Sequence, residues 1–374
     1  MYDTIVVGGG HNGLITAAYL AKSGKKVCVL ERRDILGGCA STEELYPGFL
    51  FSPASYVISL LLPEVIADLR LKEYGYEVLK RDPSSISLDR RGRHLVLGHD
   101  AKRNYESIAG FSKSDAEAFP AYEEMLSNIA ENLKPLLTTV LPQLPSPYRK
   151  MGAMKKVTNL ARGVKTGMVF KKLLYENPGA MELLTGAADR ILHRWFESDL
   201  LKGTLATDAI IGAFHSPASP GSAYVLLHHV MGDAGGSRGV WGYIRGGMGG
   251  LASALQQACV DLGVDIKTGV EVKEILVDRN AACGVSTAVG EYHSKSVASG
   301  IDVNNTLVKM LDPKHLPEAM LQQVKNIDYS SASGKINLAL DGLPDFGVDP
   351  QLLRGTIHIT PDMQYIEQGY REAV

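Results

Sequence analysis

The fold is decided by the stretch Gly8-Gly9-Gly10-His11-Asn12-Gly13, which follows the apolar run Thr4-Ile5-Val6-Val7. The β-branched run predicts a buried strand, and the apolar spacing after Gly13 predicts a helix. A strand, a glycine turn and a helix in this order are typical of a dinucleotide-binding turn. In such a turn Gly8 permits the tight bend, Gly10 lets a pyrophosphate approach the backbone, and Gly13 lets the helix pack on the strand. The helix N-terminus offers N–H groups and partial positive charge to the phosphates.

A second buried strand, Val27-Cys28-Val29-Leu30, follows the helix and ends at an acidic residue. Two wholly apolar strands joined by one helix predict parallel pairing through a right-handed crossover. Glu31 stands 18 residues after Gly13. A carboxylate there accepts hydrogen bonds from the ribose hydroxyls and repels a 2′-phosphate, so the ligand is predicted to be NAD-like or FAD-like. The alternative, a glycine loop that merely joins strand to helix, does not account for the spacing and the acid together.

The composition is that of an ordinary folded protein of two or three domains, with 374 residues of which 45% are hydrophobic. A net charge of −2 gives no electrostatic drive toward nucleic acid, and we expect no such partner. The four cysteines are too few and too scattered for a disulfide framework or a zinc site. No apolar run approaches the roughly 18 residues that span a bilayer. Either no targeting segment is used, or it lies outside this sequence.

The residues after the acid favour FAD over NAD. Glu31-Arg32-Arg33-Asp34-Ile35-Leu36-Gly37-Gly38 places a diglycine six residues beyond Glu31, and this resembles the extended dinucleotide motif of flavoprotein oxidases and desaturases. Either Arg32 or Arg33 lies along the diphosphate or adenosine side of the cofactor, or both are solvated surface arginines. FAD is the predicted cofactor, bound by Gly8, Gly10, His11, Asn12, Gly13, Glu31, Arg32, Arg33, Gly37 and Gly38.

Beyond this motif the chain resembles the phytoene-desaturase-like flavoproteins. The resemblance is carried by His11-Asn12-Gly13-Leu14, Thr42-Glu43-Glu44, Trp195-Phe196-Glu197-Ser198, Leu205-Ala206-Thr207-Asp208-Ala209, Tyr224-Val225-Leu226-Leu227-His228-His229-Val230-Met231 and Gly246-Gly247-Met248-Gly249. It implies an α/β fold with a Rossmann-like FAD-binding domain of the glutathione-reductase type, interrupted by a largely helical substrate domain. It also implies a backbone contact to adenine near Val272.

The resemblance has two departures. Relatives usually read Ser-Asn-Ala-Asp on the strand that returns to the FAD domain, where this chain has Ser299-Gly300-Ile301-Asp302. Their glycine-rich C-terminal flavin-binding segment is not found before Val374. Animal relatives are associated with the mitochondrial matrix, which is the expected location, with the cytoplasm as the alternative.

The organisation along the chain predicts four segments. Residues 1–100 form the first part of the FAD-binding domain, and 101–245 form a mainly helical substrate domain. Residues 246–310 return to the FAD-binding domain, and 311–374 begin a second, truncated substrate segment. The glycine cluster at residues 246–250 lacks the spacing and the acid of a second nucleotide loop, so we interpret it as a turn that opens a helix over 251–261.

Catalytic residues are predicted only weakly. His215, His228 and His229 fall in the segment expected to face the substrate, and His228 or His229 is a candidate base, with core or surface histidine as the alternative. Lys335 is a candidate to bind a water beside the flavin, with an ordinary strand-end lysine as the alternative. Cys39 is expected to be a small buried residue, and thiol chemistry is not expected.

Residues 149–172 contain eight basic side chains and no acid. Apolar residues at spacings of three or four from Met151 to Met168 predict a helix with an apolar and a basic face. The two interpretations are peripheral membrane contact and a solvated face packed on the protein's own core.

The resemblance to flavoprotein desaturases implies an FAD-dependent oxidoreductase that removes hydride from a small apolar substrate. The alternative is a truncated, catalytically inactive nucleotide-binding or regulatory protein. A mitochondrial protein is the partner expected under that alternative.

Overall fold

The structure, a computed structural model, describes residues 1–143, 151–232, 234, 239–331 and 333–374. The chain divides into two compact units. The first unit comprises Met1–Lys80, Gly242–Tyr329 and Lys335–Ala339, and the second comprises Arg81–Trp241, Ser330–Gly334 and Leu340–Val374. The helices and strands are numbered in chain order through both units.

The elements of the first unit include the strand and the helix on either side of the glycine turn. They are β1 (Thr4–Val7), α1 (His11–Lys22), β2 (Val27–Leu30), β3 (Glu43–Tyr46), β4 (Phe49–Phe51), α2 (Pro63–Asp68), β5 (Val78–Lys80), β8 (Gly242–Ile244), α10 (Gly249–Asp261), β9 (Asp265–Lys267), β10 (Val272–Asp278), β11 (Ala281–Thr287), β12 (Gly290–His293), β13 (Val297–Ser299) and α11 (Glu318–Lys325).

The central sheet of this unit is parallel, with strand order β13-β1-β2-β9. Every residue of β1 and β2 is buried, because both faces of a parallel sheet are covered. The helices α1 and α10 share one apolar core, to which Leu14 and Leu255 belong. The predicted strands, the parallel pairing and the first helix are thereby confirmed. Gly269, between β9 and β10, has a φ of +68° and so lies in the left-handed region.

The second unit is mainly helical. Its elements are β6 (Ser85–Leu88), β7 (His94–Leu97), α3 (Ala101–Ala109), α4 (Lys113–Thr138), α5 (Ala153–Glu176), α6 (Ala180–Thr185), α7 (Ala188–Trp195), α8 (Asp199–Thr207), α9 (Ser222–Val230), β14 (Thr356–His358) and α12 (Met363–Ala373). Its core joins buried side chains of α4, α7, α8 and α9 around Tyr122 and Phe196, whose rings meet edge to face at 5.0 Å. No helix among the described residues is long and apolar enough to cross a membrane.

The unit boundaries differ from those expected from the sequence. The N-terminal segment of the first unit ends at Lys80 rather than at residue 100. The reason is that β6 pairs with β7 and, in parallel, with β14. That parallel pairing joins Ile86 to Ile357, far apart in sequence, and so draws residues 81–100 into the second unit. The segment 311–374 is shared between the units: 311–329 and Lys335–Ala339 belong to the first, and Ser330–Gly334 and Leu340–Val374 belong to the second. The roles expected for these segments in binding cofactor and substrate stay predictions.

Candidate cofactor site

Gly8 begins the turn that connects β1 to α1. Its φ of +94° lies in the left-handed region, which glycine adopts without strain. Its N–H donates to the Leu30 carbonyl oxygen at 2.8 Å and so fixes the turn to the end of β2. A Cβ on Gly13 would lie 2.0 Å from the Gly8 carbonyl oxygen. Only a residue without a side chain therefore lets the first turn of α1 pack this closely on the end of β1.

Gly10 differs from both of these glycines. Its φ is −70°, which any residue adopts. Apart from its own chain neighbours, the nearest atom of the described residues to a Cβ on Gly10 would be the Gly37 carbonyl oxygen at 3.8 Å. Gly37 forms a β-bridge with Gly10 and donates its N–H to the Gly9 carbonyl oxygen at 2.9 Å. Since neither conformation nor packing requires glycine at position 10, its open face fits a ligand that approaches the backbone closely.

The N-terminus of α1 is open in the same way. No side chain in the described part of the chain caps it, and its first turn holds no acidic residue. The first N–H groups and the positive end of the helix dipole are therefore left for an anion. His11, at the first helical position, is half-buried, and burial lowers its pKa, so the imidazole is neutral at pH 7. Asn12 is exposed beside it.

Glu31 directly follows β2, with its carboxylate directed at the turn. Its side chain is nearly buried, at 8% exposure. One carboxylate oxygen accepts from the Gly9 N–H at 2.7 Å and the other from the Arg33 N–H at 3.0 Å. Each oxygen keeps a second lone pair, which is what two ribose hydroxyls require. The predicted position of the acid beside the glycine turn is therefore observed.

The two arginines after Glu31 are placed differently. The Arg33 guanidinium forms a bidentate pair with Glu43, with Nη1 at 3.2 Å from Oε1. This hydrogen-bonded pair raises the pKa of Arg33 and lowers the pKa of Glu43. Both arginines are exposed, and Arg33 differs from Arg32 in that its guanidinium is held by Glu43. A contact of either arginine with the cofactor stays a prediction.

The segment before β10 lies against the end of β2. Gly269 donates to the Arg33 carbonyl oxygen at 3.0 Å, and Val270 donates to the Glu31 carbonyl oxygen at 2.9 Å. Val272 follows with its side chain 4% exposed in the core. The strand predicted to touch adenine is therefore beside the acid predicted to bind ribose. The adenine contact itself stays a prediction.

Gly300 is a further closely packed glycine, and sequence reasoning missed its role. Its N–H donates to the Val7 carbonyl oxygen at 2.8 Å. A Cβ on it would lie 3.0 Å from the Gly13 Cα. Beside it, the Ile301 Cγ2 would stand 2.8 Å from a Cβ on Gly8. In the sequence, the only signal of this packing was that Gly300 and Ile301 depart from the family's pattern.

The cluster Gly246-Gly247-Met248-Gly249-Gly250 opens α10, which begins at Gly249. Two of its N–H groups donate to side-chain hydroxyls of the protein: Gly249 to Thr42 at 2.8 Å, and Met248 to Ser52 at 3.1 Å. A Cβ on Gly247 would lie 2.4 Å from the Thr42 Oγ1. The interpretation as a turn that opens a helix is confirmed, though the helix starts earlier than residue 251. The sequence alone did not reveal the hydroxyl partners.

The candidate bases His228 and His229 lie on α9 in the second unit, and His215 precedes that helix. His229 has its Nδ1 at 2.9 Å from the Val225 carbonyl oxygen and stacks on Trp241 at 5.3 Å, an arrangement typical of a core histidine. The Nδ1 of His228 is buried without a partner among the described residues. Burial and the neighbouring His229 lower the pKa of His228. His215 is exposed. Any catalytic role for these histidines stays a prediction.

Lys335 lies in the first unit. Its Nζ donates to the carbonyl oxygens of Ser52 and Ala54, the latter at 3.0 Å, and stands 5.0 Å from the centre of the Tyr56 ring. Burial lowers its pKa. These contacts occupy the ammonium group with protein partners, and its role beside a flavin stays a prediction.

The cysteines and acidic clusters point to no further chemistry. Burial raises the pKa of Cys28 to about 11 and of Cys259 to about 12, which keeps both as thiols at neutral pH. The expectation that Cys39 is buried was wrong, because its place in the one-turn helix after the diglycine exposes it. No group of His, Cys, Asp and Glu in the described ranges is able to hold a metal ion.

The residues of the turn fit FAD. Four features meet there: an open face over Gly10, an uncapped helix N-terminus, a carboxylate with free lone pairs, and a strand beside it for the adenine. The diglycine Gly37-Gly38 completes the turn with positive φ at both residues, +111° and +57°.

Comparison with known proteins also indicates a flavin-binding protein. The family model of flavin-containing amine oxidoreductases matches residues 13–357. Mouse pyridine nucleotide-disulfide oxidoreductase domain-containing protein 2 is 40% identical over 363 residues, which cover 93% of this chain and 61% of that protein. A lycopene-forming phytoene desaturase of Pseudescherichia vulneris is 25% identical over 320 residues, covering 83% of this chain and 58% of the enzyme.

Among solved structures, a double mutant of putrescine oxidase superposes with a TM-score of 0.55 at 18% identity, covering 87% of this chain and 63% of that one. At this identity the likeness concerns the fold alone. It supports the α/β class with an FAD-binding fold, while the glutathione-reductase-type detail stays a prediction. The chain spans about three fifths of the length of the curated relatives it matches.

Proposed function

The chain belongs to the flavin-containing amine oxidoreductase family, and from that membership we propose that it is an FAD-dependent oxidoreductase acting on an apolar substrate. The observation that carries the proposal is the glycine turn. Gly13 is required by packing, whereas Gly10 has an ordinary conformation and open space, so that its lack of a side chain is explained by a bound ligand. The resemblance to flavoprotein desaturases makes that ligand FAD.

Each residue of the turn has a role in holding the cofactor. The first N–H groups of α1 would hold the pyrophosphate, which approaches over Gly10. The carboxylate of Glu31 would accept from the ribose hydroxyls, with its orientation fixed by the Gly9 and Arg33 N–H groups. The strand residues near Val272 would lie against the adenine. When bound, FAD supplies the redox chemistry, because its ring accepts a hydride from a substrate C–H bond.

The apolar substrate class rests on the resemblance and on one named relative, the phytoene desaturase. The protein's own task is to position the substrate and to exclude water, and a base is optional. His228 is the candidate that best fits a proton-handling role, because its unpartnered Nδ1 and lowered pKa leave a neutral ring nitrogen available. The mitochondrial matrix and a protein partner there stay predictions from the animal relatives, as does the cytoplasmic alternative.

The test is the absorbance spectrum of the purified protein from about 300 to 550 nm after FAD is added and free flavin removed by gel filtration. Wild type is expected to retain FAD near one equivalent. Gly10→Glu places a carboxylate against the pyrophosphate, and two like charges about 4 Å apart repel by about 4 kcal/mol even at an effective dielectric of about 20. FAD affinity should fall more than about a hundredfold.

The matched control is Gly369→Glu, which makes the same change at an exposed position of α12 where a Cβ meets no atom within 4 Å. It should retain FAD as wild type does. Equal FAD affinity in the Gly10→Glu variant would refute the assignment of the turn. A folded wild type that retains no flavin would instead favour a nucleotide-binding or regulatory protein that does not use FAD.

A further inference from the structure

The helix α5 presents most of its surface to solvent. Over its 24 residues only Thr166 and Leu173 are buried. At 100° per residue these two positions lie within about 20° of each other on the helix circumference, so a single narrow face meets the rest of the unit. Among the described residues, the rest of the circumference of α5 is half-buried or exposed.

An apolar stripe runs along the face opposite to the buried one. We define the α5 stripe as Val157, Leu160, Val164, Met168 and Tyr175, which are 68%, 70%, 55%, 60% and 81% exposed. Their spacing of three, four and seven residues places them within an arc of about 80°, and they extend about 27 Å along the axis. A stripe of this kind on the solvent side of a helix contrasts with the usual pattern, in which the apolar face is turned to the core.

Basic side chains border the α5 stripe on both sides. Lys156 lies along one edge, and Lys165 and Lys172 lie along the other. Within α5 the basic residues number six, and the single acid is Glu176 in the last turn. Arg149 and Lys150, which belonged to the basic segment expected from the sequence, lie outside the described residues.

We propose that the α5 stripe docks on an anionic lipid surface, lying in the plane of the interface. The charge pattern decides between occupants: basic residues along both edges would repel each other across an interface between two copies, whereas they complement anionic headgroups on either side of inserted apolar side chains. Lys171 stands within the arc, 5.9 Å from the Tyr175 ring centre, and its long stem reaches headgroups from there. This surface is independent of the FAD site.

The experiment is flotation of the 374-residue protein with vesicles of phosphatidylcholine containing about 30% phosphatidylglycerol, compared with phosphatidylcholine alone. Wild type is expected to float with the anionic vesicles at low salt. It should remain below with the neutral ones, and anionic binding should fall as salt shortens the Debye length.

Two pairs of substitutions separate the apolar and the electrostatic contributions. The double variant Leu160→Asn/Val164→Asn should lower the fraction bound to anionic vesicles at least about tenfold, because two apolar side chains no longer insert. The matched control Met181→Asn/Ile211→Asn changes two apolar residues that are 56% and 53% exposed outside α5 and should bind as wild type. Lys156→Gln/Lys165→Gln should weaken binding and reduce its salt dependence.

Several outcomes would overturn the proposal. They are unchanged flotation of the Leu160→Asn/Val164→Asn variant, equal binding to neutral and anionic vesicles, and absence of wild type from the floated fraction. Concentration-dependent self-association that this variant abolishes, without vesicle binding, would assign the α5 stripe to a second copy of the chain. Circular dichroism of each variant checks that the fold is kept.

Discussion

The glycine turn of the first unit and the corner around Asp115 in the second both carry residues on which the family resemblance depends, but their polar groups are used differently. In the turn, the N-terminus of α1 is uncapped and the face over Gly10 is open. At the corner, the buried Asp115 carboxylate accepts from the N–H groups of Glu197 and Ser198, both at 2.8 Å. The first site leaves donors for a ligand, whereas the second satisfies its donors internally.

The polar groups of the corner pair with one another. Ser112 caps α4 by accepting from the Asp115 N–H at 3.1 Å, and its hydroxyl donates to the Glu197 carboxylate at 2.6 Å. Ser198 caps α8 in turn. The motif Trp195-Phe196-Glu197-Ser198 is therefore explained by folding alone. A stretch that resembles a family's pattern is evidence of a ligand site only where its polar groups are left open.

The largest effect that tests this comparison is expected for Gly13→Ala. The new methyl group would lie 2.0 Å from the Gly8 carbonyl oxygen. Both groups are attached to backbone, in the turn and in α1, which cannot move apart without disturbing the turn. The free energy of unfolding without FAD should fall by more than about 3 kcal/mol, measured by urea denaturation. Gly10→Ala, whose methyl group would meet nothing closer than 3.8 Å, should leave that stability unchanged. Equal stability of the two variants would contradict the assignment of one glycine to packing and the other to the ligand.

A somewhat smaller effect is expected for Asp115→Ala at the corner. The change removes the acceptor of two part-buried N–H groups, those of Glu197 and Ser198, and stability should fall by about 2 kcal/mol. FAD affinity, measured where the variant is folded, should equal that of wild type. Asp115→Asn retains one acceptor oxygen and should recover part of the loss. A large drop in FAD affinity at unchanged stability would show that the corner is not merely structural.

Local signals predicted the nucleotide turn well. The run Thr4-Ile5-Val6-Val7, the glycines and Glu31 act within about thirty residues, so that periodicity and turn chemistry suffice to predict the strands, the helix and the acid. Pairings between distant segments escaped prediction. The pairing of β6 with β14 joins Ile86 to Ile357, and nothing in either short strand indicates its partner.

Side-chain partners escaped prediction for the same reason. The hydroxyl of Thr42 and the N–H of Gly249 are 207 residues apart in sequence, and the contact of Gly300 with Gly13 depends on where β13 joins the sheet. Cys39 was expected to be buried because it follows two glycines at a turn near the core. Its exposure depends on the direction in which the one-turn helix after Gly37 leaves the sheet, which the sequence pattern does not specify.

The smallest expected effect is the change in the pH dependence of stability when His11 is replaced. It tests whether a phosphate lies beside the start of α1. Burial lowers the pKa of His11 in the folded state, and the positive end of α1 acts in the same direction. Below the ordinary value of 6.5 the unfolded chain therefore binds more protons at this residue than the folded chain does. Its contribution to stability is complete above that pH and is lost as pH falls below it.

Urea denaturation at pH 8 and pH 5 should thus show a smaller loss of stability in His11→Gln than in wild type. His94→Gln, at an exposed position that begins β7, should lose as much as wild type. With FAD bound, the phosphate charges favour the protonated imidazole, and the difference between His11→Gln and wild type should shrink. An equal pH dependence in wild type and His11→Gln would mean that His11 is not held neutral. A difference that FAD leaves unaltered would mean that no phosphate lies beside the start of α1.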